Sequence, residues 1–260
     1  MPEGDTIHNA VRRISAVVPP GTVPDSIATP HPRFGRDRWV QRLEGRAIKS
    51  IDAHGKHLFI HFEGGLVIHS HLRMTGAWHV YRDGDRWRRA PRRAWLTIKR
   101  GDRTVVQFDG PVLELMTELR RRSDRHLAQL GPDVLAPAFD PAAVVARLRR
   151  DHQGRELGDA LLDQRNVAGL GNIWKSESCF GASINPWRHL TDISDQELTA
   201  VLENARPRMQ VSAETGSHER DIWVYNRTGR PCKRCGSDRV RERRQGDENR
   251  MTYWCPTCQS

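Results

Sequence analysis

The chain contains no apolar run of the roughly eighteen residues that a membrane-spanning helix needs, and its first residues lack the apolar core of a signal peptide. A soluble, cytoplasmic protein is the expectation. Long amphipathic basic helices and lipidation signals are missing too, which disfavours attachment to a membrane surface. No internal repeat is visible, and no carboxylate cluster suits a catalytic Mg²⁺, so a cation-dependent nuclease would have no obvious centre. Cysteine is scarce: five residues, an odd number, argue against a disulfide framework in a cytosolic chain.

What the chain does have is positive charge. Its 42 Lys+Arg exceed its 32 Asp+Glu, a formal net charge of +10. That excess points to a polyanionic partner, above all nucleic acid. The length of 260 residues suffices for one large domain or two small ones with proper cores.

Residues 5 to 18 have a helical period, with Ile7, Ala10, Val11, Ile14, Val17 and Val18 on one face. Asp5 or Thr6 can cap the start, and Pro19-Pro20-Gly21 stops it. Short strands are expected at 47–52, 57–62, 66–71, 77–81, 95–99 and 104–108, several of them separated by steps such as Gly64-Gly65 and Asp83-Gly84. Strands without crossover helices imply an antiparallel sandwich or barrel. Gly131-Pro132-Asp133 and Ala136-Pro137-Ala138 read as a linker, beyond which the pattern turns helical. Asp140-Pro141 is a cap followed by a first-turn proline, and Ser194 with Glu197 is a capping-box signature. Two short helical stretches between Leu157 and Cys179 are interrupted by Ala168-Gly169-Leu170-Gly171-Asn172.

Four cysteines fall in the last thirty residues as two C-x2-C knuckles, Cys232/Cys235 and Cys255/Cys258, with nineteen residues between the pairs. Four thiolates so spaced predict one tetrahedral, structural Zn²⁺, with a β-hairpin joining the knuckles. The hairpin carries Arg239, Arg241, Arg243, Arg244 and Arg250, which favours nucleic-acid contact over a merely solvated face. Cys179 stands apart and reads as a small buried hydrophobe.

At the other end stands Pro2-Glu3. With Met1 trimmed, Pro2 bears the α-amine, a secondary amine that titrates near about 8 where a lysine titrates near about 10.4. Such an amine is nucleophilic at neutral pH and can form an iminium with an electrophilic carbon. Glu3 sets a carboxyl group beside it.

Together these residues resemble the formamidopyrimidine-DNA glycosylase and endonuclease VIII family. The resemblance runs nearly end to end through Pro2-Glu3-Gly4, Gly55-Lys56, Leu161-Leu162-Asp163-Gln164, Gly169-Leu170-Gly171-Asn172, Glu177, Val224-Tyr225, Gly229-Arg230-Pro231-Cys232 and Tyr253-Trp254-Cys255-Pro256-Thr257-Cys258-Gln259. The endonuclease VIII branch fits better, because Asp109-Gly110-Pro111-Val112-Leu113-Glu114 stands where the other branch has an Arg-Phe pair. The resemblance implies an α+β multidomain fold. An N-terminal helix and antiparallel β-sandwich would occupy 1–130, a helical domain with a helix–two-turn–helix 131–222, and a four-cysteine zinc finger 223–260. It implies a monomeric glycosylase and abasic-site lyase acting on damaged double-stranded DNA, with a preference for oxidised pyrimidines.

It also implies roles. Pro2 is the nucleophile and Glu3 the acid/base; Lys56 takes part in base loss and β-elimination, or binds phosphate. Arg250 matches an arginine associated with phosphate binding and δ-elimination, and it anchors phosphate better than it transfers protons, since an arginine stays protonated at neutral pH. Asn172 contacts a DNA phosphate, and Glu177 is a second acid near the amine or a surface glutamate. In the void-filling position, His71-Leu72-Arg73-Met74-Thr75-Gly76 offers Arg73 to the orphaned base and Met74 as a wedge, unless Met74 is a core residue. This branch often has Gln-Leu-Tyr where the chain has Arg-Met-Thr. The histidines at 54, 57, 61, 69 and 71 alternate through strands and read as satisfied or solvent-facing rather than as a second metal site, and the arginine-rich run 86–93 either lies along DNA or is a solvated loop. The rival reading is a zinc-dependent DNA-binding protein that keeps the scaffold without chemistry.

Overall fold

The computed structural model describes residues 2–31, 38–217, 222–237 and 239–260. Met1 lies outside them. The chain splits into two compact units, one holding residue 2 and 6–128, the other 3–5 and 129–260.

The chain enters through helix α1 (Gly4–Ser15). In the first unit α1 is followed by β1 (Ser26–Ala28), α2 (Trp39–Leu43), β2 (Ile48–His54), β3 (His57–Phe62), β4 (Leu66–His71), β5 (Ala77–Arg82), β6 (Ala94–Arg100), β7 (Arg103–Phe108) and β8 (Val112–Thr117). These strands form two antiparallel four-stranded sheets, ordered β1-β6-β7-β5 and β2-β3-β4-β8. Ile7, Ala10 and Ile14 of α1 share one apolar core with Leu58, Ile60, Ile68, Trp78, Leu96, Ile98 and Val105 from both sheets, so the architecture is a sandwich. Helices α3 (Glu118–Ser123) and α4 (Arg125–Ala128) close the unit.

Two sequence expectations shift here. Helix α1 begins before Asp5 and ends at Ser15; the Gly4 N–H finds a partner in the Gly169 carbonyl at 2.9 Å, and the Asp5 carboxylate instead accepts the Ser212 hydroxyl at 2.5 Å. The expected linker around residues 131–138 is a packed segment. Its Val134 and Leu135 are buried in the second unit's core, and Asp133 bridges to Ala168. Glycine and proline there mark tight packing rather than loose chain.

The second unit contains α5 (Pro141–Arg150), α6 (Leu157–Ala160), α7 (Asn172–Gly181) and α8 (Asp195–Thr215). The Asp140 carboxylate caps α5, and Ser194 with Glu197 forms the complete capping box of α8. Two turns over Leu161–Gly171 join α6 to α7. A two-stranded hairpin, β9 (Arg241–Gln245) and β10 (Arg250–Trp254), lies between the cysteine knuckles. Cys179 is fully buried, and burial pushes its thiol up to about 12, as befits an inert packing residue.

Candidate active site and metal centre

In the second unit Glu3 lies against the first turn of α7. Its side chain is 1% exposed; one carboxylate oxygen accepts the Ile173 N–H at 2.8 Å and the other the Trp174 N–H at 3.4 Å. The helix has no side-chain cap of its own at Gly171, so a carboxylate 170 residues away satisfies its leading donors and the positive end of its dipole. The glycines follow from this contact. A Cβ on Gly171 would stand 2.3 Å from the Glu3 carboxyl carbon, and one on Gly4 would stand 2.8 Å from the Gly169 Cα. Gly171 thus leaves the space that the Glu3 carboxylate occupies, and Gly4 lets α1 start against the backbone of Gly169. Pro2 is half-buried immediately before it.

Asn172 opens α7. Its side-chain amide donates to the Met251 carbonyl at 2.7 Å, which ties the helix to β10 one residue beyond Arg250. Arg250 is 41% exposed and pairs with the outlying Glu248 carboxylate at 3.0 Å. A surface pair of this kind is worth about 0–1 kcal/mol, so a phosphate can take the guanidinium from it readily. Sequence reasoning missed Lys175. It is fully buried on α7, donates to the Thr252 hydroxyl at 2.6 Å, and burial pulls its ammonium down to about 8. Thr252 donates in turn to Gln245 at 2.7 Å, so the two hairpin strands are bound to each other and to α7 by buried polar contacts. Almost every α7 residue is buried, and a helix without a polar face gives no signal that one lysine has a special partner.

Glu177 is not a surface residue. It is fully buried, and its two oxygens accept the N–H groups of Trp223, Val224 and Tyr225 at 2.8–2.9 Å and the Arg208 guanidinium at 3.0 Å. Its carboxylate clamps the strand of chain that leads into the first cysteine knuckle.

The four cysteine sulfurs all lie within 4.8 Å of one another. Four thiolates about 2.3 Å from a tetrahedral zinc stand roughly 3.8 Å apart. The Cys232–Cys258 and Cys235–Cys255 sulfur pairs are each 3.8 Å apart, so the quartet fits such an ion. The Gln259 side chain accepts the Cys255 N–H at 2.8 Å and donates to the Ile184 carbonyl at 2.9 Å, fastening the second knuckle to the helical core.

The first unit presents Lys56 and the Leu72–Gly76 loop. Gly55-Lys56 is the two-residue turn of a hairpin closed by the His54–His57 pair, with Gly55 at a φ of 57°. A turn this short fixes where Lys56 emerges. His71, at the end of β4, has both Lys56 and Arg73 near enough to act on it. Burial first, then those two cations, depress its imidazole to about 4. His57 and His69 are hydrogen-bonded ring to ring at 2.8 Å, and His69 reaches Glu114 at 3.4 Å. Burial likewise brings His57 down to about 2. Burial thus favours the neutral rings of His57, His69 and His71, each of which is hydrogen-bonded. Among the described residues only the cysteine quartet groups three or more His, Cys, Asp or Glu ligand atoms closely enough for a metal. Met74 is 61% exposed, which overturns the core reading, and Arg73 before it has a φ of 49°.

The sequence matches two family models: the formamidopyrimidine-DNA glycosylase N-terminal domain over residues 1–124 and the formamidopyrimidine-DNA glycosylase H2TH domain over residues 130–222. It is 38% identical to a probable endonuclease 8 2 of Streptomyces coelicolor, over all of this chain and 94% of that protein. It is 34% identical to the DNA-(apurinic or apyrimidinic site) lyase Nei2 of Mycolicibacterium smegmatis, over all of this chain and 99% of that one. The fold is similar to that of Lactococcus lactis Fpg solved with DNA containing N7-benzyl-Fapy-dG: the TM-score is 0.84 at 24% identity, with both chains wholly covered. Among the described residues no helix is long and apolar enough to cross a membrane.

Proposed function

Since the chain belongs to the formamidopyrimidine-DNA glycosylase and endonuclease VIII family, we propose that it is a bifunctional DNA glycosylase and abasic-site lyase of base excision repair, working through Pro2. The observation that carries this reading is the burial of Glu3 on the α7 amides, directly beside the one residue able to present a secondary amine. The α7 amides offset the cost of burying this carboxylate and so hold an acid immediately next to residue 2 in the chain.

In this reading the substrate is damaged double-stranded DNA and the damaged nucleotide is rotated out of the stack. The Pro2 nitrogen attacks C1′ while the bond from C1′ to the base breaks, the base taking a proton from solvent; Glu3 takes up the proton shed by the amine and delivers it to the ring oxygen, which opens the sugar. Ring opening leaves an iminium, which acidifies the C2′ hydrogen. Removal of that proton expels the 3′ phosphate, and a second elimination expels the 5′ phosphate. Lys56 stands at a fixed turn for proton transfer or phosphate contact during these steps. Arg250, released from Glu248, neutralises phosphate charge, and Asn172 sets the position of the strand that carries it. The protein acts as a monomer in the bacterial cytoplasm, with 1–130, 131–222 and 223–260 as its functional divisions, and oxidised pyrimidines are its preferred lesions.

One structural Zn²⁺ on Cys232, Cys235, Cys255 and Cys258 fixes the hairpin that bears Arg250; with four thiolates it keeps no open position for substrate. A residue fused ahead of Pro2 turns its amine into an amide. Such a fusion is expected to abolish cleavage of an abasic duplex while retaining binding of that duplex, and full cleavage by the fusion would remove Pro2 from the mechanism.

A further inference from the structure

The exposed tip at Met74 needs support, because the loop between β4 and β5 is short and contains a left-handed residue just before the tip. On one flank the Arg73 N–H is held by the His71 ring nitrogen at 3.1 Å. On the other flank Thr75 is held twice, its carbonyl accepting Arg89 at 2.6 Å and its hydroxyl donating to the Asp109 carbonyl at 3.2 Å.

Asp109 is the centre of that second flank. Its carboxylate takes Arg89 at 2.7 Å and Arg93 at 2.7 Å, and its N–H donates to the Arg93 carbonyl at 3.2 Å. Its φ of 49° is one that aspartate tolerates better than most residues. Burial works against the charged carboxylate, but the bonds from Arg93 and Arg89 outweigh it and hold the group below the usual carboxylate range. The arginine loop is itself anchored. Trp87 stacks on Tyr81 at 5.6 Å and meets the edge of Phe108 at 5.6 Å, and the Arg88 N–H donates to the Tyr81 hydroxyl at 3.1 Å. Two arginines of a run that reads as a DNA-facing or solvated loop are thus committed to an internal carboxylate next to the wedge.

We propose that Asp109, with Arg89 and Arg93, is a positioning set that braces Thr75 and thereby fixes how Met74 enters the DNA stack and which lesions are displaced. The inference rests on the glycosylase reading above. With the charge of Asp109 removed, two guanidiniums face each other without a counter-ion, and the Arg89 hold on Thr75 loosens. A misplacement of about 1 Å can cost as much as about a hundredfold in rate.

The test compares wild type, Asp109→Asn, Met74→Ala and the double variant, each confirmed folded by its thermal transition. One readout is the fluorescence of 2-aminopurine opposite an uncleavable abasic analogue on binding, which reports wedge insertion without chemistry. The other is single-turnover excision of thymine glycol from a duplex. Asp109→Asn is expected to lower the fluorescence response and to slow excision by roughly tenfold. In the Met74→Ala background it should add less than about a further twofold, because the two act through one element. Multiplying effects in the double variant, or an unchanged fluorescence response in Asp109→Asn, would overturn the inference. Arg89→Met, which leaves the Arg93–Asp109 pair in place, substitutes if Asp109→Asn unfolds. A wild-type protein that excises nothing would defeat the glycosylase reading, and the fluorescence would still decide the brace.

Discussion

Glu3 and Met74 are the two side chains whose positions matter most to the proposed chemistry, and the molecule holds them by opposite means. Glu3 is buried, its carboxylate bonded to backbone amides at a helix start, in space left by a glycine. Met74 stands in solvent on a loop held by an ion-paired aspartate on one side and a neutral imidazole on the other. Backbone amides of a packed helix move only if the helix moves, so they suit a group that must meet a reacting atom within a fraction of an ångström. Side-chain struts can be exchanged one residue at a time, so they suit an element whose shape decides which lesions are displaced. The difference predicts that damage to the first arrangement is general and damage to the second is selective.

The sharpest way to break the first arrangement is Gly171→Ala. The added methyl has no room 2.3 Å from the Glu3 carboxyl carbon. Overpacking of this kind costs about 1–3 kcal/mol, and if Glu3 yields rather than the helix, all catalysis falls by roughly ten- to a hundredfold. Cleavage of abasic and base-damaged duplexes should fall together, with DNA binding retained; loss confined to one substrate would show that Glu3 is not the group displaced. The Asp109 variants give the contrasting, smaller and substrate-selective effect.

The smallest effect expected is on pH. His71 titrates at about 4 in the folded chain against an ordinary value near about 6.5, because of burial and then of Arg73 and Lys56. The folded state therefore binds fewer protons than the unfolded chain through that window. The contribution of the neutral ring is complete above about pH 6.5 and is lost progressively as pH falls towards about 4. Below that the ring nitrogen can no longer accept the Arg73 N–H. Thermal transitions recorded across this range should fall with acid, and a His71→Asn variant should show a shallower fall. Parallel curves would separate the loop from the titration of His71.

Much of this was legible in the sequence where one local rule was sufficient. Strands β3 and β4 lie where glycine punctuation and apolar runs place them, the Ser194 capping box is complete, and the paired knuckles do bring their four sulfurs together. The three-residue β1 is too short for any period to show. The segment from Gly131 to Ala138 misled because glycine and proline mark close packing as well as loose chain; Val134 was the residue that could have said so. Pro2 and Glu3 stand out through the family resemblance, but the reason for Gly171 does not, because its partner is a side chain at the far end of the sequence. The same holds for Asp109, whose partners at 75, 89 and 93 come from two other loops. Glu177 reads in the sequence as a second acid near the amine or as a surface glutamate; the folded chain buries it, which overturns the surface reading, and gives its oxygens to three backbone amides.

The central claim is that the Pro2 nitrogen becomes covalently bonded to the sugar, and borohydride trapping tests it most directly. Protein with Met1 removed is incubated with a labelled abasic duplex and with a thymine glycol duplex, reduced, and the adduct is mapped by peptide mass, alongside Pro2→Gly and Glu3→Gln. The account predicts an adduct on Pro2 from both duplexes. It also predicts loss of the thymine glycol adduct by about a hundredfold or more in Glu3→Gln, the scale of a missing acid/base group. An adduct on a lysine, or none from protein with an intact terminus and its zinc, would contradict it.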